Sequence, residues 1–295
     1  SMPDTDGFEF CAMLKADIKT RDIPIIFISA LDSVEDKIKG FKLGAVDYIA
    51  KPFEKEEVTL RLNTHLKIYK MQQEMDKKLH QVVNEQITRV NEEQKNVLAA
   101  LAEILKMRAN IYETGIDKVS ANSRMLAISL QFSPKFDKEI SSAFVDKIET
   151  ASLLHDIGML SVNDAVAYKN TNLTADELEG IRRHTVVGAD YLQKINTDKN
   201  KNGYLEMAVE IAKYHHENWD GTGYPEGLSG TDIPLSARIV AVIDTFMALN
   251  SERSYRDAYT REESVEIIKS EAGRRFDPDI IDIFSKIQKQ LSCEL

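Results

Sequence analysis

The chain has 295 residues and a formal net charge of −10, and it is 43% hydrophobic and 29% charged. This length predicts two domains of ordinary globular composition, and the acidic balance excludes a protein that binds nucleic acid polymers through clustered lysines and arginines. No apolar run reaches the roughly 18 residues of a membrane span, and the two cysteines stand apart without a motif, so we expect a cytoplasmic protein that binds no membrane.

The first 65 residues alternate helices with short strands. A helix over 7–18 precedes an apolar strand at 24–29, and an amphipathic helix over 33–43 precedes a second strand at 47–50. This alternation predicts a parallel α/β sheet. Two parallel strands alone leave an unpaired edge, so we expect the segment to be loosely folded or completed by another copy of the chain.

Residues 54–111 predict one long helix, because they include no proline or glycine. Its apolar residues form one stripe that favours a parallel coiled coil, so we expect a homodimer through residues 66–100. The alternative is a single helix packed on its own domain. His65 and His80 are expected to face solvent. The stripe consists of Leu66, Met71, Met75, Leu79, Val83, Ile87, Val90, Val97 and Leu101.

The remaining sequence predicts helices up to a loop at 217–234, where glycines and prolines interrupt regular structure. A final helix is expected to begin at Pro278, with Asp277 as its N-cap.

Four of the six histidines fall into three short clusters that predict a metal site. Imidazole and carboxylate groups are ligands that suit iron, manganese and zinc. Neighbouring helical residues point about 100° apart, so the adjacent pair of histidines suits two metals better than one. The alternative is that these are capping or surface histidines. The candidate ligands are His155, Asp156, His184, His215, His216 and Asp244.

Three motifs in this part of the chain resemble the HD-GYP branch of the HD phosphohydrolases over about residues 96–290. They are HDIG at 155–158, HHENWDGTGYPEGLSGTDIP at 215–234 and ARIVAVID at 237–244. The resemblance implies an all-helical phosphodiesterase that hydrolyses cyclic di-GMP with a hydroxide bridging two or three divalent metals, iron or manganese. It implies that His155 and Asp156 are catalytic. The residues alone indicate only a multinuclear hydrolase.

The first 65 residues resemble the C-terminal half of a response-regulator receiver domain, through MPDTDGFEFCAMLK at 2–15 and GAVDYIAKPF at 44–53. Ser29 matches the switch hydroxyl, and Lys51 matches the lysine that contacts the phosphoryl group. The phosphoacceptor aspartate would lie before residue 1, so we expect none in this chain. A cognate histidine kinase is expected as a partner only where the full receiver is present.

Three positions depart clearly from the HD-GYP pattern, and Arg256 departs slightly, since lysine is more usual there. Glu113 matches a ligand of a third metal, but Asp117 stands where the family has histidine; both would share a helix face, and the alternative is two surface acids. Met159 replaces a lysine that contacts the scissile phosphate, and such a loss costs about 2–4 kcal/mol of transition-state stabilisation. Met247 replaces a second acid.

The resemblance also implies the substrate contacts. Arg253 and Arg256 match a basic pair that binds phosphate, and the alternative is that they form surface ion pairs. Gly223 and Tyr224 lie in the GYP loop, where Tyr224 either stacks on guanine or packs the loop. We expect Trp219 to pack the loop.

The sequence thus predicts a mainly α protein with a partial α/β receiver domain at 1–65, a linking and dimerisation helix at 66–100 and an all-helical HD-GYP domain at 101–295. The leading interpretation is a metal-dependent cyclic di-GMP phosphodiesterase of a two-component system. One alternative is a catalytically weakened module that binds metal and nucleotide. The other is a phosphohydrolase for a different cyclic dinucleotide.

Overall fold

A computed structural model describes residues 6–30, 33–109, 116–167, 169, 171–196, 203–252 and 257–292. Within these ranges the chain is mainly helical, with one two-stranded parallel sheet. The chain divides into two compact units, residues 1–89 and 90–295. The elements are α1 Gly7–Ala16, β1 Ile26–Ser29, α2 Val34–Lys42, β2 Asp47–Ala50, α3 Lys55–Ala109, α4 Ile116–Gln131, α5 Ser142–Ala151, α6 Asp164–Ala167, α7 Ala175–Arg182, α8 His184–Ile195, α9 Gly203–Tyr214, α10 Leu235–Leu249, α11 Arg261–Ser270 and α12 Pro278–Ile287.

The first unit contains the predicted strand–helix–strand pattern. β1 pairs in parallel with β2, with Ser29 opposite Ala50. The amide of Lys51 donates to the carbonyl of Ser29 at 2.8 Å, so the two candidate switch residues lie together where both strands end. The Phe27 ring packs against that of Tyr48, at a centroid distance of 5.9 Å. The predicted helices and strands of this segment are therefore confirmed.

The prediction that His65 faces solvent is wrong. Its side chain is 19% exposed, and its Nε2 lies 3.2 Å from Oδ2 of Asp47, an atom to which Nη1 of Arg61 also donates, at 3.1 Å. Burial opposes ionisation of Asp47, but hydrogen bonds from the Tyr48 amide and from Arg61 outweigh it and lower the pKa of this carboxyl. The first turns of α3 thus lie against the start of β2, where Asp47 contacts both Arg61 and His65. His80 is exposed, as predicted.

The second unit is helical and has one large hydrophobic core. α10 lies at its centre, because almost every residue from Leu235 to Met247 is buried, as expected of a helix that is apolar all round. α4, α5, α9 and α12 contribute buried residues to the same core, and so do Leu98 and Ala102 near the end of α3. None of the helices in the described ranges is long and apolar enough to cross a membrane.

Candidate metal centre

Three separate elements bring four candidate ligands together. Asp156 lies between two short 3-10 segments after α5, His184 is the first residue of α8, and His215 and His216 directly follow α9. One ligand atom from each of these residues lies within 4.8 Å of the others.

Gly158 makes this approach possible. A Cβ atom at this position would lie 1.9 Å from the carbonyl oxygen of His184 and 2.7 Å from the amide nitrogen of Gly188. Because no side chain fits in this space, the HDIG segment packs directly against the backbone at the start of α8. This contact places Asp156 beside His184.

Backbone hydrogen bonds orient three of the imidazoles. The Nδ1 atoms of His155, His184 and His215 lie 2.8, 2.7 and 2.9 Å from carbonyl oxygens. A proton on Nδ1 satisfies each contact and leaves the Nε2 lone pair free for a metal, which is the usual arrangement of histidine ligands. The accepting carbonyls belong to Ser152, Ile181 and Ile211, respectively.

Two of these Nε2 atoms, in His184 and His215, are buried and have no hydrogen-bond partner within the described ranges. A buried polar atom without a hydrogen bond lowers stability by about 1–3 kcal/mol. The protein groups alone therefore leave two nitrogen lone pairs of this site without a partner among the described residues. A divalent cation would relieve that cost by accepting both lone pairs. The side chains present therefore fit a metal ion.

Asp156 lies at the centre of the cluster. Its Oδ1 is 3.2 Å from Nε2 of His184 and 3.5 Å from Nε2 of His215, while its Oδ2 is 3.5 Å from Nε2 of His155. Oδ1 of Asp244 lies 3.7 Å from the same atom of His155. One carboxylate thus faces different imidazoles with its two oxygens.

The pKa values of Asp156 and His216 are shifted toward the protonation states that bind metals. Burial opposes charge on Asp156, but the neighbouring His155, together with His184 and His215, holds the pKa of this carboxyl well below its usual range. Burial lowers the pKa of His216 well below its usual range, and the nearby His215 lowers it further. Burial also lowers the pKa of His184, but the negative charge of Asp156, whose Oδ1 lies 3.2 Å from its Nε2, outweighs this effect and raises it. An anionic carboxylate and a neutral imidazole are the forms that bind metals.

Glu217 folds the GYP loop back on itself. This carboxylate is buried, and its Oε1 accepts hydrogen bonds from the amides of Glu226 at 2.8 Å and Gly227 at 3.1 Å. Gly223 is packed so tightly that a Cβ there would lie 2.3 Å from the amide nitrogen of Asn218. The loop is therefore held in one compact conformation.

The loop places Tyr224 against the metal centre. Its ring stacks on that of His216, with centroids 4.9 Å apart and planes 27° apart. Burial raises the pKa of Tyr224, and the negative charge of Asp156 raises it further, so the hydroxyl stays protonated. Trp219 takes part in loop packing, with the Arg238 guanidinium 5.8 Å from the centre of its ring.

An open pocket of about 390 Å³ lies beside His216. The sequence analysis did not identify four charged residues of this pocket as site candidates, namely Arg182, Glu271, Arg274 and Arg275. The signal available was two pairs of arginines, one directly before His184 and one directly before Phe276, but the pairs are far apart in the chain. The pocket is lined by Arg182, His216, Asn218, Thr222, Gly223, Tyr224, Glu271, Arg274 and Arg275.

Other predicted site residues do not join this cluster. The Asp117 side chain is 71% exposed and pairs with Nζ of Lys106 at 2.6 Å, so its role as a ligand stays a prediction. Met247 is buried in the core, where Nδ2 of Asn122 lies 3.3 Å from its sulfur. Met159 is partly buried. The candidates that lie outside the described residues are Glu113, Arg253 and Arg256.

Two family models match the chain. The HD domain matches residues 117–280, and the response regulator receiver domain matches residues 1–63. The HD match covers more than half of the chain and includes Asp156, His184, His215 and His216.

Three curated proteins are similar to the chain. A probable cyclic di-GMP phosphodiesterase of Vibrio cholerae is 34% identical, over 96% of this chain and 65% of its own length. The cyclic di-GMP phosphodiesterase response regulator RpfG of Xanthomonas campestris is 31% identical, over 98% of this chain and 74% of its own length. The 3'3'-cGAMP-specific phosphodiesterase 2 of Vibrio cholerae is 38% identical, over 49% of this chain and 27% of its own length.

The chain thus spans less than two thirds of the first relative and about three quarters of the second. Both alignments extend across the receiver segment and the HD domain. The HDIG motif contains Asp156 and the GYP-loop motif begins with His215 and His216, so both motifs contribute to the candidate site, as the HD-GYP pattern implies. The chain therefore belongs to the HD domain family, in its HD-GYP branch, with a receiver segment preceding the HD domain.

Proposed function

We propose that this protein is a metal-dependent phosphodiesterase that hydrolyses cyclic di-GMP. The observation that carries the proposal is the cluster of Asp156 with His184, His215 and His216, in which two buried Nε2 atoms have no hydrogen-bond partner among the described residues. Two similar proteins bear the name cyclic di-GMP phosphodiesterase and align over nearly the whole chain.

The proposed cofactor is a set of two or three divalent ions, iron or manganese. Mixed nitrogen and oxygen ligands suit these metals, and when bound they activate water and stabilise charge on phosphoryl oxygens. His155, His184, His215 and His216 would hold them together with Asp156 and Asp244. Glu113 and Asp117 stay candidates for a further ion.

The chain's own residues prepare the site for this chemistry. Asp156 stays anionic and faces imidazoles on both sides, and the backbone hydrogen bonds on Nδ1 fix the direction of each Nε2. Such preorganisation stabilises developing charge without rearrangement during the reaction. Tyr224 and Gly223 form one wall beside His216, and Arg253 and Arg256 are further candidates to bind phosphate.

Product analysis tests the proposal. The protein is reconstituted anaerobically with Fe²⁺ or Mn²⁺ and incubated with cyclic di-GMP, beside Asp156→Ala and the surface control Asp282→Ala. We expect linear dinucleotide from the wild type and the control and none from Asp156→Ala. Bound metal and nucleotide without turnover would instead indicate a weakened binding module, and Met159→Lys would then be expected to restore turnover.

A second candidate substrate is a mixed cyclic dinucleotide. It is favoured by the 38% identity with a relative that is named as specific for 3'3'-cGAMP. Initial rates on cyclic di-GMP, 3'3'-cGAMP and cyclic di-AMP under identical conditions separate the candidates. A higher kcat/KM for 3'3'-cGAMP than for cyclic di-GMP would replace the leading substrate.

The remaining predictions extend the proposal to the whole protein. The partial receiver domain spans 1–65, the linking and dimerisation helix 66–100 and the HD-GYP domain 101–295. The protein is located in the cytoplasm. A histidine kinase is its partner where the full receiver is present. The homodimer is supported by apolar side chains on α3 that are exposed in the single chain, such as Met75 at 70% and Leu79 at 59%.

A further inference from the structure

We propose that Arg182, Arg274 and Arg275 form a clamp that binds the non-reacting phosphate of a cyclic dinucleotide. This inference rests on the proposed function, because it concerns the part of the substrate that the metals do not touch. The three arginines line the pocket beside His216 together with a single carboxylate, that of Glu271. The pocket is therefore positively charged in a chain whose net charge is −10.

The turn that carries Arg274 and Arg275 is fixed to the GYP loop. The carbonyl of Arg274 accepts from the amide of Asp220 at 2.9 Å, and the carbonyl of Arg275 accepts from the amide of Trp219 at 3.1 Å. Gly273 adopts a φ of +79°, which allows the sharp turn just before them. The backbone of the two arginines is thus fixed to the loop that carries Tyr224.

Aromatic rings support two of the guanidinium groups without neutralising them. The guanidinium of Arg182 lies 5.3 Å from the centre of the Tyr224 ring, and that of Arg275 lies 5.1 Å from the centre of the Phe276 ring. In the described part of the chain neither forms an ion pair with a carboxylate. Arg274 forms a long ion pair with Glu271, at 3.6 Å, and its charge also acts on Asp220. Guanidinium groups in this state are suited to bind phosphate oxygens in a bidentate manner.

The position of the pocket identifies which phosphate it would bind. Its wall includes His216 and Tyr224, so it is continuous with the metal centre. A cyclic dinucleotide carries two phosphates, and when one lies at the metals the other extends beyond them. A volume of about 390 Å³ is at the small end for ligand pockets, which suits part of such a molecule.

The test separates binding from chemistry. The Mn²⁺-loaded protein is titrated with a non-hydrolysable phosphorothioate analogue of cyclic di-GMP, and turnover is measured on bis(p-nitrophenyl) phosphate, which has only one phosphate. The variants are Arg182→Gln and the double variant Arg274→Gln/Arg275→Gln. The control is Arg124→Gln, an exposed arginine that pairs with Glu149.

We expect the double variant to weaken analogue binding about tenfold or more and to make it less dependent on salt. Arg182→Gln should have a smaller effect in the same direction. Turnover of bis(p-nitrophenyl) phosphate should stay within about twofold, and Arg124→Gln should change neither readout.

Three results would overturn the proposal. They are unchanged analogue binding in the double variant, an equal loss of binding and of small-substrate turnover, and a wild-type protein that does not bind the analogue. Failure of the proposed function looks different. In that case the wild type binds the analogue, the variants bind it more weakly, and no linear product forms from cyclic di-GMP. The binding role of the three arginines would then be supported although the proposed hydrolysis fails.

Discussion

At the residue scale, the metal centre depends on where single atoms point. Asp156 is proposed as a ligand because both of its oxygens face imidazole nitrogens, and His184 because its Nδ1 is held by a backbone carbonyl. Sequence spacing predicts which residue types gather but not these directions. The directions follow from the packing of the 3-10 segments after α5 against α8.

Replacing Gly158 with alanine should disrupt this packing. The added Cβ would overlap the carbonyl oxygen of His184, so we expect Gly158→Ala to lower the melting temperature and to lose bound metal together. Gly180→Ala is the matched control, because a Cβ there meets no atom within 4 Å inside helix α7. It should stabilise by about 0.5–1 kcal/mol. Calorimetry and metal analysis measure both effects, and normal metal content in Gly158→Ala would contradict the packing account.

At the element scale, one buried ion pair joins two helices of the second unit. Nη1 of Arg238 in α10 donates to Oδ2 of Asp277 at 2.7 Å, and the side chains are only 8% and 3% exposed. Asp277 also caps α12 by accepting from the amide of Asp279. The cap was predicted from the Asp–Pro sequence, whereas the partner in α10 was not.

Removing one member of this pair should be costly. Asp277→Ala leaves the Arg238 charge buried without a partner and removes a helix cap, so we expect a loss of about 3–5 kcal/mol of unfolding free energy. Asp282→Ala breaks only an exposed pair with Lys286 and should change stability by less than about 1 kcal/mol. Denaturant unfolding measures both. Similar losses in the two variants would contradict the importance of burial.

The start of α7 gives a pH-dependent prediction. The ammonium group of Lys169, 2.7 Å from both carboxylate oxygens of Glu177, and the Thr174 amide lower the pKa of Glu177 from 4.5 to about 2. Because the folded state favours the ionised form, this contribution to stability is complete above about pH 4.5 and is lost as the pH falls toward 2. Lys169→Met should raise the pKa of Glu177 toward its ordinary value. Carbon-13 NMR titration of the carboxyl group measures it, and an unchanged pKa would be contrary to this explanation.

At the scale of the whole molecule, dimerisation is the prediction that depends on the apolar stripe of α3. Met75 is 70% exposed in the single chain. We expect Met75→Glu to convert a dimer into monomers in sedimentation experiments, because a charge would have to be buried in the seam. Gln73→Glu adds the same charge away from the stripe and should leave the dimer intact. A wild-type monomer would show instead that α3 is a single helix.

Much of the fold could be predicted from local sequence. The second strand, Asp47–Ala50, and the long helix Lys55–Ala109 lie where the pattern indicated, because apolar runs and the absence of glycine and proline are local signals. The solvent exposure of His65 was predicted wrongly because the residue it contacts, Asp47, lies in a different element. The arginine pocket was missed for the same reason, since only folding brings Arg182 near Arg275.

The central claim is that metals held by this cluster drive phosphodiester hydrolysis, and a metal titration tests it most directly. Metal-free protein is titrated anaerobically with Mn²⁺ or Fe²⁺ while bound metal and the rate of linear dinucleotide formation from cyclic di-GMP are measured together. We predict no turnover without metal, a rate that rises with occupancy and saturates at two or three ions per chain, and neither metal uptake nor turnover in His184→Ala. Turnover by the metal-free protein, or full activity in His184→Ala, would contradict the account.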